Sequence, residues 1–211
     1  MPDKYKKAAV ITGDVIGSTK LTPVRRRKLQ NLIKKFIEST SDKFPDFKAE
    51  QFRGDSIQAI LTRHLSLALL ASLTMQTNLI SHGFGIRLSI GIGEISFKSK
   101  NVITSDGSAF QVSGTMIDEI KKRNEYISVA STFDNFNKEW TVHSATLNYI
   151  LERLTIQQAQ AVYLQMQNLT QEEIAIKLKI SQPSVHQRLQ AAGWPVINRI
   201  LQRFTTAVSS L

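Results

Sequence analysis

The chain has 211 residues, of which 42% are hydrophobic and none is cysteine. This length allows one or two domains with a sizeable core, and the lack of cysteine excludes disulfides, zinc–thiolate sites and thiol catalysis. The formal net charge is +10, from 27 Lys+Arg against 17 Asp+Glu, and such a balance favours polyanionic partners such as nucleic acid or nucleotides.

Two features of the sequence bear on location. No apolar run reaches the roughly 18 residues that a membrane-spanning helix requires. The N-terminal segment Met1–Lys7 lacks the apolar core and the small-residue cleavage site of a signal peptide. We therefore expect a cytoplasmic protein without a membrane partner.

The first third of the chain predicts a strand, a helix and a hairpin. Ala8–Thr12 is typical of a buried strand, and Thr22 followed by Pro23 is typical of a helix start, with the threonine as cap and the proline in the first turn. Phe47–Phe52 and Ser56–Leu61 predict two strands joined by a tight turn.

The next elements complete a sheet with helices. Leu67–Ile80 predicts a second helix, the alternation within Ile86–Ile92 a strand with two distinct faces, and Ala109–Lys122 a third helix after the polar loop Ser99–Gly107. Tyr126–Ala130 predicts a last strand. The order β-α-β-β-α-β-α-β indicates an antiparallel or mixed sheet backed by helices on one face, the ferredoxin-like arrangement of α+β proteins.

The sequence changes character after about Thr146, where strand patterns end and glutamine becomes frequent. Four helices are predicted there: Leu154–Gln167, Thr170–Leu178, Ser181–Ala191 and Trp194–Val208. We place a boundary near residues 140–152 and predict an α+β domain of residues 1–145 and an all-α domain of residues 146–211.

Residues 170–190 have the pattern of a helix-turn-helix. Ala175 is small enough for the second helix to cross closely, Ile180 fills the turn, and Ser181 caps the second helix. Four polar side chains remain on the outer face of that helix, where they can bond bases or phosphates in a DNA major groove: Gln182, Ser184, Gln187 and Arg188.

The pattern resembles the helix-turn-helix of sigma-factor region four and of LuxR-type regulators. The alternative is a small helical bundle that makes protein contacts. The last helix either closes this bundle or pairs two subunits into a homodimer.

Two acidic turns lie at strand ends in the N-terminal half. Asp14 begins the run Asp-Val-Ile-Gly-Ser-Thr, and Asp55 lies in the turn Arg53-Gly54-Asp55-Ser56. Two carboxylates from neighbouring strands are what a two-metal phosphoryl-transfer site requires, because their oxygens bind Mg²⁺ or Mn²⁺ ions that hold a triphosphate. The alternative is structural: Asp14 caps a turn with Gly17, and Asp55 is an ordinary hairpin residue.

These motifs resemble those of class III nucleotidyl cyclases, which share a palm fold with GGDEF enzymes and polymerases, and Leu88–Gly93 is similar to the cyclases' Gly-Ile-His-x-Gly strand. A reduced palm followed by a helix-turn-helix resembles the SatD family over nearly the whole chain. The resemblance implies that Asp14 and Asp55 are metal ligands. It also implies that backbone amides at a helix N-terminus hold the phosphate of a nucleotide: Ile16, Gly17, Ser18 and Thr19.

The chain departs from the cyclases at three positions. Gln51 stands where cyclases have a purine-reading lysine, and Gln111 and Thr115 stand where they have an asparagine and an arginine. That arginine stabilises charge in the transition state, and Lys121, Lys122 or Arg123 could replace it. The sequence therefore supports the binding of a metal and a nucleotide better than efficient cyclisation.

The function that we predict is that of a DNA-binding regulatory protein whose palm domain binds a metal–nucleotide or another phosphorylated ligand. Two alternatives stay open at this point. One is a nucleotidyl cyclase or nucleotidyltransferase with an atypical active site, and the other is a protein-interaction module without catalysis.

Overall fold

The computed structural model describes residues 6–52, 54–96, 102 and 105–211. Within these ranges the strands are β1 (Lys6–Val15), β2 (Lys48–Phe52), β3 (Ser56–Leu61), β4 (Ile86–Ile95) and β5 (Ile127–Ser131). The helices are α1 (Pro23–Lys43), α2 (Leu67–Ser81), α3 (Ser108–Arg123), α4 (Asp134–Arg153), α5 (Ile156–Met166), α6 (Gln171–Leu178), α7 (Gln182–Ala191) and α8 (Trp194–Ser209). Arg53 of the predicted hairpin turn and part of the predicted loop Ser99–Gly107 lie outside the described residues.

The five strands form one mixed sheet in the order β2-β3-β1-β4-β5. Every neighbouring pair is antiparallel except β4 and β5, which are parallel. The first four strands, with α1 and α2 as their connections, have the strand order of a ferredoxin-like fold. The predicted fold class is confirmed: an α+β palm, which we define as β1–β5 with α1–α3, is followed by a C-terminal unit of helices.

Helices cover both faces of the sheet. Ile11 and Val15 of β1 belong to the core under α1 and α2, whereas Ala8 and Val10 pack with Phe110 of α3. The prediction that helices back one face only is therefore wrong. Both faces of β4 are buried almost throughout, so it has no solvent-facing side.

Glycine in β4 explains how α3 comes so close to the sheet. A Cβ atom at Gly91 would lie 2.3 Å from the carbonyl oxygen of Ala109, and one at Gly93 would lie 2.5 Å from the Ser108 hydroxyl. Glycine inside a strand permits this close approach of another backbone. The helix that follows the late strand is consequently fixed against the sheet.

One carboxylate fixes the loop between β3 and α2. Asp46 Oδ2 accepts hydrogen bonds from the backbone N–H groups of Thr62, Arg63 and His64 at 3.2, 2.8 and 3.0 Å, and Oδ1 lies 2.6 Å from His64 Nδ1. Burial alone raises the pKa of Asp46, but the hydrogen bonds from His64 and Arg63 outweigh it and lower the pKa from 3.8 to about 2. No local pattern in the sequence predicts this pair, because Asp46 and His64 are 18 residues apart.

Helix α2 is the part of the palm that lies between the sheet and the C-terminal unit, which we define as α5–α8. On one side, the Gln76 amide donates to the Tyr126 carbonyl beside the sheet at 2.7 Å. On the other side, the Thr74 hydroxyl lies 3.6 Å from the sulfur of Met166 in α5. The side chains of α2 are thus buried both towards the sheet and towards the C-terminal unit.

Helix α4 was not predicted from the sequence, and it runs through residue 145. Trp140 of α4 is fully buried and meets Phe204 of α8 edge to face, with ring centroids 4.9 Å apart. Arg203 of α8 also binds Glu139 of α4 at 2.6 and 2.8 Å. The division into residues 1–145 and 146–211 stays a prediction, while the four predicted C-terminal helices are confirmed as α5–α8.

Candidate functional site

Asp14 is the last residue but one of β1. It pairs with Ser56 of β3 on one side and with Arg87 of β4 on the other. The strand extends past the predicted Thr12, so Asp14 belongs to the strand itself. Its carboxylate has two cationic neighbours: Lys121 Nζ is 3.3 Å from Oδ1, and Arg87 Nη1 is 4.0 Å from Oδ2.

Arg87 joins this carboxylate to the end of α3. Its Nη2 donates to Asn124 Oδ1 at 3.0 Å, and Asn124 is the left-handed residue, at φ 56°, that ends α3. The side chain of Arg87 is 14% exposed. Its Nε is buried without a hydrogen-bond partner among the described residues. Asp14 and the C-terminal end of α3 therefore share one charged network.

Asp55 lies beside β1 but faces the other side of the sheet. The Val15 N–H donates to the Asp55 carbonyl at 3.0 Å, so the backbones of the two predicted acidic turns lie side by side at the end of the β1–β3 pair. Side chains alternate between faces along a strand, and Asp55 shares the face of Val15 towards α1 whereas Asp14 faces α3. The Asp55 Oδ2 accepts a hydrogen bond from the Ser18 hydroxyl at 2.6 Å.

A small cavity of about 260 Å³ lies on the α1 side of this edge. Its polar lining comes from three parts of the chain: the turn after β1, the first turns of α1, and the hairpin. These residues are Ser18, Thr19, Arg26, Gln30 and Asp55. Asp14 does not line the cavity.

The predicted phosphate loop is only partly available. The Ile16 N–H donates to the Gly85 carbonyl at 2.9 Å, so that amide already has a partner. Gly17 adopts a left-handed conformation at φ 68° and begins a short 3₁₀ turn, Ser18–Lys20, whereas the next long helix starts at Pro23. Phosphate binding by Ile16, Gly17, Ser18 and Thr19 stays a prediction.

The donor set, as placed, does not fit one divalent cation shared by Asp14 and Asp55. Oxygen ligands must approach Mg²⁺ within about 2 Å, and these two carboxylates point to opposite faces with different partners. No group of three or more His, Cys, Asp or Glu side chains in the described part of the chain is arranged to hold a metal. A site for Mg²⁺ or Mn²⁺ at Asp14 and Asp55 together would need a different arrangement of the two carboxylates, and it stays a prediction.

The three positions at which the chain departs from the cyclases are Gln51, Gln111 and Thr115. The Gln51 amide donates to the Gly54 carbonyl at 2.8 Å and so fixes the hairpin turn. Gln111 and Thr115 are exposed on α3. Lys121, one of the three predicted replacement cations, is the side chain on α3 that reaches Asp14.

The helix-turn-helix consists of α6, a three-residue turn and α7. Thr170 and Glu173 form a capping box at the start of α6, and the hydrogen bonds from Thr170 hold the pKa of Glu173 below its usual value. Lys179 takes the left-handed conformation at φ 54° that ends α6, and Ser181 caps α7 by accepting from Ser184 N–H at 3.3 Å.

The outer face of α7 is polar, as predicted. Val185 and Leu189 are buried against the neighbouring helices, since α5 contacts both α6 and α7. Gln182 and Gln187 are exposed, whereas Ser184 and Arg188 are half-buried. The Gln182 amide donates to Gln171 Oε1 of α6 at 2.7 Å. The DNA-binding role of these four residues stays a prediction.

None of the helices in the described ranges is long and apolar enough to cross a membrane.

Several solved cyclase structures are similar to this chain at low sequence identity. A bacterial light-regulated adenylyl cyclase is 17% identical, with a TM-score of 0.44 over 60% of this chain and 77% of that one. The adenylyl cyclase CyaB from P. aeruginosa is 16% identical, with a TM-score of 0.42 over 55% of this chain and 73% of that one. An adenylate/guanylate cyclase/hydrolase from Silicibacter pomeroyi is 18% identical, with a TM-score of 0.43 over 55% and 71% of the two chains.

None of the curated proteins matches the chain. The family described as the SatD family, in contrast, matches residues 8–208. Because this match extends over nearly all of the sequence, the chain belongs to the SatD family.

Proposed function

We propose that this chain is a DNA-binding regulatory protein whose palm binds a phosphorylated ligand. The observation that carries the proposal is the capped α6–α7 unit, which buries Val185 and Leu189 and leaves a polar outer face on α7. A cytoplasmic location is part of the same proposal.

The chemistry of the α7 face suits duplex DNA. The amides of Gln182 and Gln187 can pair with base edges, and Arg188 can reach a guanine or a phosphate. Lys177 and Lys179, in the last turn of α6 and in the turn, are exposed and suit phosphate contacts. Residues 146–211 carry six Lys+Arg against three Asp+Glu, so this part of the chain has a net positive charge that attracts a polyanion.

The cavity beside Asp55 is the palm's candidate ligand site. Arg26 offers a guanidinium and Thr19 a hydroxyl to a phosphate, while the Asp55 carboxylate suits a hydroxyl or N–H donor of the same ligand. A nucleotide carries both kinds of group. We therefore propose a nucleotide or a similar phosphorylated molecule that enters from the α1 side.

The proposal for DNA is tested with a double substitution on α7, Gln187→Ala with Arg188→Ala. Retention of the full chain on sheared duplex DNA is measured at low salt. The matched control is Arg199→Ala with Gln202→Ala, which removes the same side-chain types from the exposed surface of α8. We expect the α7 variant to lose retention and the α8 variant to keep it. Equal retention of the two variants would refute the assignment of α7.

The palm ligand is tested by a thermal-shift screen of nucleotides, each with Mg²⁺ and with a chelator. A ligand that binds only the folded state raises the unfolding midpoint by mass action. Arg26→Gln should remove the shift, while Arg27→Gln, a neighbouring substitution with the same charge change, should preserve it. A shift that survives Arg26→Gln would place the ligand elsewhere, and the chelator arm decides whether the predicted Mg²⁺ or Mn²⁺ takes part.

A nucleotidyl cyclase or nucleotidyltransferase is the second candidate function. The observation that favours it is that the backbones of Asp14 and Asp55 are adjacent at one edge of a ferredoxin-like sheet, although catalysis by both carboxylates would require one of them to turn to the other face. Incubation with each nucleoside triphosphate and Mn²⁺, followed by mass spectrometry, separates the two functions. A cyclic or linear product that is lost in Asp14→Asn would favour the enzyme. The remaining alternative, a protein-interaction module, predicts binding of neither a metal nor DNA.

A homodimer is the oligomeric state that suits this DNA-binding proposal. Two helix-turn-helix units related by a two-fold axis would read two half-sites about one helical turn apart. Sedimentation of the full chain with and without DNA measures this state.

A further inference from the structure

Asp14 meets cations of its own chain where the resemblance places a metal. We infer that Lys121 is a built-in cation that takes the place of a divalent ion beside Asp14, so that this palm holds its β1 carboxylate without a metal. The inference concerns the α3 side of the sheet and does not depend on DNA binding or on the ligand cavity beside Asp55.

Each oxygen of the carboxylate faces a positive group. Lys121 Nζ lies 3.3 Å from Oδ1, and Arg87 Nη1 lies 4.0 Å from Oδ2. The Asp14 side chain is only 20% exposed, so little solvent remains to compete with these partners. One negative charge is thus compensated by two positive charges from the same chain.

The position of Lys121 is set by the packing of α3. Gly91 lets the backbone of α3 lie directly on β4, and Arg87 bonds Asn124 at the end of the helix. The last turn of α3 carries three basic residues, where the helix dipole favours positive charge. Lys121 therefore projects towards Asp14 from a helix that is held against the sheet near Ala109 and Ser113 and again at Asn124.

A divalent cation on Asp14 would have to approach within reach of these two positive groups. The repulsion from Arg87 persists because its side chain is 14% exposed and bonded to Asn124. Lys121, at 42% exposure, is the more exposed of the two cations and is therefore the one to replace. In a water-like dielectric, the repulsion between the charge of Lys121 and a divalent ion a few ångströms away lowers the affinity of Asp14 for that ion by at least about tenfold.

The neighbours of Lys121 on α3 supply a matched control. Lys122 is exposed, and its replacement changes the net charge by the same amount. Arg123 pairs instead with Glu119 and Glu125, at 3.6 and 3.1 Å. Lys122→Gln therefore separates the specific contact of Lys121 from a general change in the positive potential of the helix.

Binding of Mn²⁺ to the full chain is measured by isothermal titration calorimetry for the wild type, Lys121→Gln, Lys122→Gln, Asp14→Asn and the double variant Asp14→Asn with Lys121→Gln. We expect Lys121→Gln to gain Mn²⁺ binding that depends on Asp14, at an affinity at least about tenfold above any Mn²⁺ binding by the wild type. The double variant should lose this gain, because Asp14 provides the ligand. Lys122→Gln and Asp14→Asn should both match the wild type.

Two results would overturn the inference. Wild-type affinity for Mn²⁺ that falls in Asp14→Asn would show that Asp14 already binds a metal in the presence of Lys121. Equal affinity of the wild type and Lys121→Gln would show that Lys121 does not occupy the metal's place. Lys121→Arg keeps the charge and should behave as the wild type, and the comparison of the wild type with Asp14→Asn remains decisive if Lys121→Gln does not fold.

Discussion

Replacing Gly91 of β4 by alanine adds one methyl group between the sheet and α3. The new Cβ atom would lie 2.3 Å from the Ala109 carbonyl oxygen, 2.5 Å from the Ser113 nitrogen and 3.0 Å from the Ser113 Cβ. Two of these three atoms belong to the backbone of α3, so no side-chain rotation relieves the overlap. The helix must move away from the strand to accept the methyl group.

Overpacking of this kind costs about 1–3 kcal/mol, and more where backbone has to shift. For a chain of this size, about 1 kcal/mol corresponds to roughly 2–4 °C in the unfolding midpoint. We therefore expect Gly91→Ala to lower the free energy of unfolding by at least about 2 kcal/mol and the midpoint by roughly 4–8 °C.

Gly114, on α3 itself, provides a control of opposite sign. A Cβ atom there would have no neighbour within 4 Å in the described residues outside the nearby backbone of α3, and glycine inside a helix costs about 1 kcal/mol relative to alanine. Gly114→Ala should therefore raise the free energy of unfolding by about 0.5–1 kcal/mol.

Urea unfolding followed by far-UV circular dichroism measures both variants against the wild type. If Gly91→Ala unfolded within about 0.5 kcal/mol of the wild type, the close packing of α3 on the sheet would be refuted. The position of Lys121 beside Asp14 depends on the same packing, so Lys121 would then not be held beside Asp14 as a built-in cation.

Three further predictions concern other parts of the chain. Asp46→Asn should lower the free energy of unfolding by about 2 kcal/mol near neutral pH, because the carboxylate of Asp46 has a pKa of about 2 in the folded protein instead of 3.8. This contribution is present above about pH 4 and is lost as the pH falls towards 2, so urea unfolding should show the variant and the wild type converging there. Arg188→Ala should reduce the slope of log affinity against log salt by about one unit in DNA-binding titrations, and an unchanged slope would exclude a phosphate contact. Phe204→Ala should lower the free energy of unfolding by about 3–5 kcal/mol because it removes the ring that packs against Trp140. Unfolding of this variant is followed by tryptophan fluorescence and by circular dichroism: a single shared transition would mean that residues 1–145 and 146–211 unfold together, whereas two transitions would support the predicted division.

Local signals in the sequence are sufficient for much of the fold. The strand Ser56–Leu61 has the bounds that its pattern predicts, and Thr22 caps α1 at the predicted residue, accepting from the Arg25 N–H at 3.4 Å. Caps and turns depend on neighbours a few residues away, so one sequence contains the information. Helix α4 also had such a signal, because Phe136, Trp140, Leu147 and Leu151 lie at helical spacing.

The arrangement of α3 and the site could not be derived in the same way. Gly91 within a strand indicates either a bulge or a close approach of another backbone, and the sequence does not say which. The pairing of Asp14 with Arg87 depends on the register of β1 against β4, and the contact with Lys121 depends on the rotation of α3. The strand pattern predicts Asp14 and Asp55 as neighbours, but the opposite faces of the two carboxylates follow from the register of β1 against β3, which only the structure provides.

Helix α2 offers a physical route from the palm to the proposed DNA-binding surface. Its Gln76 amide bonds the Tyr126 carbonyl beside β5, and its Thr74 packs on Met166 at the end of α5, the helix that supports α6 and α7. Along this route α2 is packed against both the sheet and α5. A ligand can bias the α7 surface only if it binds two arrangements of this α2–α5 contact with different affinity. Coupling between the proposed palm ligand and DNA would thus require a second packing of Met166 against Thr74, since a ligand that binds one rigid arrangement would stabilise the chain without changing its affinity for DNA.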